Sequence, residues 1–247
     1  MKRGSKPKRL DLILNGKGGV GKSFFAVNFV QYVKDHSIDH VALDTDNENS
    51  TLKRFHPEAV FVDLSEPAAI DQMFAELEAH SLVIVDCRAA STDIFLEYFE
   101  EMKVFEVLRE FGATLTLISP VNHELDSVKQ LQILAERLGN GTEYVLVRNH
   151  SFSDQFAIFD QSKSRHRILS DLGGREIEMP KLQDWLVVGL NQVGCTITPA
   201  LRHSHFSVMD RQRLKNWQRK FYEQIDSARA LLLPASKSTA KEREVPA

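Results

Sequence analysis

Four glycines fall within six residues of the run Asn15-Gly16-Lys17-Gly18-Gly19-Val20-Gly21-Lys22-Ser23, which stands between an apolar stretch and a helical periodicity. A backbone so poor in Cβ atoms can turn its N–H groups inward and let oxygen atoms approach its Cα atoms. The G-x-x-x-x-G-K-[ST] spacing sets a helix N-terminus behind the same point, where free amides and the helix dipole favour negative charge. Such a loop needs a strand before it and a helix after it. The pattern predicts a cradle for nucleotide phosphates, with Lys22 reaching the β- and γ-phosphates and the Ser23 hydroxyl on Mg²⁺. The alternative is a glycine-rich turn that merely joins two elements.

The rest of the chain agrees with that demand. Short apolar runs at residues 10–15, 41–44, 82–86, 113–118 and 144–148, with weaker ones at 60–64 and 176–179, read as strands buried on both faces. Helical patterns fill the intervals at about 22–36, 67–80, 93–111, 122–138 and 182–193. This alternation predicts an α/β fold, a mostly parallel twisted sheet flanked by helices. Beyond Ser204 the residues Leu214, Trp217, Phe221, Ile225, Ala228 and Leu232 draw one apolar stripe along a long C-terminal helix that Pro234 stops. That stripe reads as core rather than as a membrane anchor. The expected organisation is a basic flexible N-terminal tail at 1–9, a single domain at 10–233 and a flexible C-terminal tail at 234–247.

Composition narrows the class. With 43% hydrophobic and 26% charged residues the chain can bury a core, and its formal charge of -3 excludes a polycation that binds nucleic acid over its whole surface. No stretch approaches the roughly 20 apolar residues that span a bilayer, and no signal core follows the basic start, so a cytoplasmic protein is expected. Cys87 and Cys195 lie far apart without a C-x-x-C pair and read as reduced thiols. Charge is polarised: residues 35–101 hold sixteen acids against three bases, whereas 202–220 hold six bases and one acid. The helical cations Arg211, Arg213, Lys215, Arg219 and Lys220 are candidates for non-specific contact with DNA phosphates. A solvated helix face opposite a buried stripe is the other reading.

The second lysine, Lys17, in K-G-G-x-G-K-[ST] resembles the deviant Walker A loop of the ParA/MinD class of P-loop ATPases. The likeness extends to a strand ending in Asp44-Thr45-Asp46, to Asp86 at the Walker B position closing Leu82-Val83-Ile84-Val85-Asp86, and to Asn149 ending a later strand. It covers nearly all of residues 10–195. Within the class the chain is most similar to the TraL-like branch, ParA-type proteins encoded among plasmid conjugal-transfer genes. The stretches that carry this are Leu43-Asp44-Thr45-Asp46 with Asn49-Ser50-Thr51, and Asp210-Arg211-Gln212-Arg213-Leu214-Lys215 with Glu223-Gln224-Ile225-Asp226. ParA proteins usually follow these aspartates with Pro-Gln-Gly and x-Pro-Pro; this chain has Asn47-Glu48-Asn49 and Cys87-Arg88-Ala89. TraL-like proteins also lack the two prolines, so the departure fits the branch.

The resemblance implies a P-loop fold that binds ATP or ADP with Mg²⁺, hydrolyses ATP slowly and forms a homodimer on ATP binding. It implies a protein partner in conjugal transfer or plasmid maintenance. The nucleotide would lie against Gly16, Lys17, Gly18, Gly19, Val20, Gly21, Lys22, Ser23 and Phe24. Asp46 would orient the attacking water and Lys17 would reach the other subunit's phosphates, so Lys17, Lys22 and Asp46 form the implied catalytic set. Ser23, Asp44 and Asp86 would hold or arrange the metal, and Asn149 and Pro180 would border the adenine. Each has a plainer reading: strand-end aspartates cap helices, Asn149 forms a turn, Pro180 ends a strand, and Lys17 is a solvated loop lysine. Two rivals stand beside the switch: an ATP-dependent ligase or synthase of the amidoligase and dethiobiotin-synthase branch, and an adaptor that holds ATP without hydrolysing it.

Overall fold

Buried on both faces, the short apolar runs pair side by side, and the helices between them return the chain to the same starting edge each time. The computed structural model describes residues 7–66 and 68–235. Its strands are β1 (Lys8–Ile13), β2 (Val41–Asp44), β3 (Val60–Phe61), β4 (Leu82–Asp86), β5 (Ala113–Val121), β6 (Glu143–Asn149) and β7 (Arg175–Met179). They form one sheet in the order β3-β2-β4-β1-β5-β6-β7, and every pairing is parallel.

The helices are α1 (Lys22–Asp35), α2 (Thr51–Phe55), α3 (Ala69–Ala79), α4 (Thr92–Glu101), α5 (Val104–Phe111) and α6 (Leu125–Leu138). There follow α7 (Ala157–Asp160), α8 (Lys163–His166), α9 (Asp184–Val193), α10 (Ile197–Ala200), α11 (Val208–Ser227) and α12 (Arg229–Leu232). Alternation along β1 divides the interior in two. Leu10, Leu12 and Leu14 join the core under α3 to α7, whereas Ile13 joins the core under α1 and α9 to α12. The apolar stripe of the C-terminal segment is core, as expected: Leu214, Phe221 and Ile225 are fully buried, and Trp217 donates to the Pro180 carbonyl at 2.7 Å.

Several boundaries differ from the sequence reading. β1 starts at Lys8, so Lys8 and Arg9 belong to the sheet rather than to a tail. Arg9 is nearly buried because its guanidinium donates to the carbonyls of Ala230 and Leu231 (3.0 and 2.6 Å), to Thr116 Oγ1 (2.6 Å) and to Glu143. This clamps α12 to the sheet. Residues 1–6 of the expected N-terminal tail, and the C-terminal one beyond residue 235, lie outside the described residues. The pattern at 93–111 is two helices, α4 and α5, broken where Lys103 takes a left-handed φ of 48°. The C-terminal stripe likewise spans two helices, since α11 ends at Ser227 and α12 carries Leu232.

Candidate functional site

A parallel sheet delivers all its strand C-termini to one edge, and register decides which of them meet. Asp86 pairs with Ile13 of β1 on one side and with Asp44 of β2 on the other, while Asn149 pairs with Met179. The glycine loop leaves β1 in the middle of the sheet, where the connections to β2 and β5 diverge to opposite sides. That switch point is the usual ligand crevice of open α/β sheets. The strand-end residues expected from the sequence therefore share one edge with the loop.

The loop is held from below and from both flanks. The Asn15 amide donates to Pro120 O and Ser127 O (3.0 and 3.1 Å), and its Oδ1 accepts from the Lys17 amide at 3.1 Å. Gly16 packs so closely that a Cβ would collide with Gln130 and with Thr92 Oγ1. Gly21 caps α1 with a φ of 99°, and a Cβ there would collide with the Asn149 amide. Gly18, Gly19 and Lys17 are the outward part of the turn; Val20 is fully buried beneath it. Gly21→Ala should cost about 1–3 kcal/mol, from the left-handed backbone and the displaced Asn149. Urea unfolding checks this, and an unchanged midpoint would show that the Gly21 geometry is not required.

Lys22 is 7% exposed and donates to the Lys17 carbonyl at 3.0 Å. Burial lowers its pKa, with Asp86 opposing. Asp86 is 1% exposed, and among the described residues neither of its carboxylate oxygens has a hydrogen-bond partner of normal geometry. Burial pushes its carboxyl up to about 7; the neighbouring Ser23 hydroxyl and Lys22 ammonium pull it down, and Asp44 and Asp46 add to the rise. An orphaned buried carboxylate beside a hydroxyl and an ammonium is costly unless something else completes the site.

The Asp44-Thr45-Asp46 segment shows the turn-capping bonds that are the plainer reading of its aspartates. Asp44 spends both oxygens on backbone, accepting from the amides of Asp46 and Lys53 at 3.0 Å each, which fixes the turn into α2. Burial raises its pKa, against those two amides. Asp46 Oδ1 accepts from the amides of Glu48 and Asn49 (3.0 and 3.1 Å) and closes the next turn, which ends at Ser50 with a φ of 40°. Both aspartates thus show the capping geometry that strand-end aspartates favour. Between them Thr45 ties two strand ends together: its hydroxyl donates to Asp86 O at 3.1 Å and accepts from the Arg88 amide at 2.9 Å. No group of three or more His, Cys, Asp or Glu that would cage a metal exists among the described residues.

Lys17, about a third exposed, pairs with Glu124 at 3.1 Å. Asn149 is buried and braces the loop, donating to Val20 O at 2.9 Å and accepting from the Ser151 amide at 3.0 Å. Pro180 is partly exposed, its carbonyl taken by Trp217. Phe24 is partly buried and packs edge-on against Trp217, with ring centroids 5.5 Å apart.

The cations of α11 are scattered around its solvent arc. Arg213 pairs with Asp210 (3.8 Å), Arg219 with Glu223 (2.6 Å), and Arg211 donates to the Phe206 carbonyl (2.8 Å). Lys215 and Lys220 are exposed. Arg211, Lys215 and Arg219, four residues apart, share one face of the helix, and Arg213 and Lys220, seven apart, share another. Sequence reasoning assigned no role to Asn15, Thr45, Ser127, Gln130 and Glu124. Asn15 alone carried a signal, as a polar residue closing an apolar strand.

A parallel sheet with a glycine loop at its switch point, a buried lysine and a strand-end aspartate defines a P-loop nucleotide-binding α/β protein. Residues 12–231 match the family described as the CobQ/CobB/MinD/ParA nucleotide binding domain, and the chain belongs to that family. It is 27% identical over 248 residues to "Protein TraL" of Escherichia coli (90% of this chain, 99% of that protein). It is 23% identical over 218 residues to "Protein MobD" of Acidithiobacillus ferrooxidans (85% of this chain, 93% of that protein). A chain of the MinC:MinD cell division protein complex of Aquifex aeolicus shares the fold, with a TM-score of 0.50, 11% identity, and coverage of 93% of this chain and 98% of that one. No described helix is long and apolar enough to cross a membrane.

Proposed function

We propose that this protein is an ATP-dependent switch of the ParA/MinD type that binds ATP and ADP with Mg²⁺, hydrolyses ATP slowly and pairs with a second copy around the nucleotide. Its output is a changed surface that recruits or positions a partner in plasmid conjugal transfer or maintenance, in the cytoplasm, through one domain that takes in Lys8 and Arg9 and runs to 233. The observation that carries this is the meeting, at one sheet edge, of the phosphate loop, the buried Lys22 and the orphaned Asp86 carboxylate.

In this reading Lys22 and the loop amides from Gly16 to Phe24 hold the phosphates. Ser23 and Asp86 would hold magnesium, and the unpartnered oxygens of Asp86 fit that task. When bound, the ion neutralises charge on the transferring phosphoryl group. One or two protein oxygens suffice, because magnesium keeps waters and phosphate oxygens as its other ligands. Asp44 acts indirectly, by shaping the turn that presents Asp46. Asp46 orients the attacking water, Lys17 leaves Glu124 to reach the second subunit's phosphates, and Asn149 and Pro180 flank the base end. Non-specific DNA contact through Arg211, Arg213, Lys215, Arg219 and Lys220 is a minor part of the proposal.

Chromatography of the protein with ATP, with ADP and without nucleotide tests the switch. ATP alone should shift the population to a dimer. Asp46→Ala should retain ATP, accumulate that dimer and lose turnover by about two orders of magnitude. Unchanged turnover in Asp46→Ala would remove the water-orienting role. A product formed from a small carboxylate in step with ADP release would favour the ligase reading instead.

A further inference from the structure

The loop also grips α6. Gly16 packs against Gln130 and Asn15 donates to the Ser127 carbonyl, so one side of this helix is seated on the phosphate loop. Its other side forms, with α7, α8 and the turn after it, an open groove of about 400 Å³. Leu125, Val128 and Ile158 give the groove an apolar floor, and Leu125 and Ile158 are 49% and 43% exposed, so two large apolar side chains meet solvent in one concavity. Lys129, Lys163 and Arg167 line the same groove. Lys129 has a loose contact with Asp126 at 3.8 Å, and among the described residues the ion pair made from the Lys163–Arg167 segment is that of Arg165 with Glu176, which leaves Lys163 and Arg167 without a carboxylate partner. The lining contains one acid, Glu136, which accepts from Gln132 at 2.9 Å.

We propose that this groove docks an acidic amphipathic helix of a protein partner, apolar side down between α6 and α8 and carboxylates toward Lys129, Lys163 and Arg167. The charge surplus selects an anionic occupant. The apolar floor selects one with hydrophobic anchors spaced along a helix, which a nucleic acid backbone does not offer. Leu125 opens α6 next to Glu124, the partner of Lys17, so the occupant would sit within one residue of the contact that the proposed switch must release. Docking itself does not depend on the nucleotide reading; its coupling to nucleotide does.

The probe is a fluorescent synthetic helix with leucines on one face and glutamates on the other, titrated with the full-length protein. Its lysine-for-glutamate counterpart, duplex DNA and phosphatidylglycerol vesicles serve as controls. The glutamate helix should bind, and Lys163→Glu with Arg167→Glu should weaken it about tenfold or more. Ile158→Ser, at an exposed position that should not disturb folding, should weaken it too. Binding should survive in Lys22→Ala, which separates this proposal from the nucleotide site. No binding at millimolar peptide, equal affinity for the charge-reversed protein, or preference for the lysine helix, DNA or vesicles would overturn it.

Discussion

Replacing Lys22 with alanine is expected to weaken Mg-ATP binding by about thirtyfold or more while leaving the fold intact. The side chain is nearly buried, and its ammonium is folded back on the Lys17 carbonyl. Burial lowers its pKa, so the protein holds a poorly solvated cation against the loop in advance of any ligand. A polyanion entering the cradle meets that charge at short range and without solvent between them. Removing one partner of a desolvated charge pair costs about 2–5 kcal/mol, and each 1.4 kcal/mol is tenfold in affinity. Titration calorimetry of ATP, ADP and AMP reads the effect. ATP and ADP should suffer and AMP much less, because Lys22 is assigned to the outer phosphates. Equal losses for all three would mean that the variant had collapsed the loop, and no loss would show that the loop is not a phosphate cradle.

The glycine loop, the strand ends and the parallel sheet were legible because each is a local pattern with a single structural consequence. Glycine spacing fixes backbone geometry, and in a parallel sheet all strand C-termini share an edge, so Asp44, Asp86 and Asn149 had to fall near the loop. What those side chains do there was not legible. Whether Asp44 faces a metal or caps a turn depends on where the amides of Asp46 and Lys53 lie, and that is set by a loop without periodicity. Asn149 likewise braces Val20 because β6 and the loop converge in three dimensions across well over a hundred residues of sequence. The helices between β6 and β7 escaped notice because four-residue helices are too short to show a period. Lys103 broke a continuous apolar pattern through its backbone alone. On α11 the cations were countable, but their pairing with Asp210 and Glu223 follows from three- and four-residue spacing, so a run of positive residues overstated the free charge.

Asp86→Asn should separate stability from function more sharply than any other substitution. Its carboxyl ordinarily titrates near 3.8 and is pushed up to about 7 in the fold, chiefly by burial. The folded state therefore holds a proton that the unfolded chain releases between those values. The stability this provides is complete below about pH 4 and is lost as pH rises through 7, by up to about 4 kcal/mol in all. Without ligand, the protein should be progressively easier to unfold in urea between pH 5 and pH 8. Asparagine has no charge to desolvate, so Asp86→Asn should flatten that dependence and be the more stable form at pH 8. With magnesium and ATP the gap should narrow by most of its size, since the wild type then has a cation for its carboxylate and the variant does not. Ligand present at a hundred times its dissociation constant adds about 2.7 kcal/mol to the form that binds it. A wild-type protein whose unfolding midpoint is flat from pH 5 to pH 8 would show that Asp86 is not held protonated. An asparagine variant that magnesium and ATP stabilise as strongly as the wild type would place the metal elsewhere. The first result would leave the phosphate cradle standing, whereas the second would move the whole reacting end of the nucleotide away from β4.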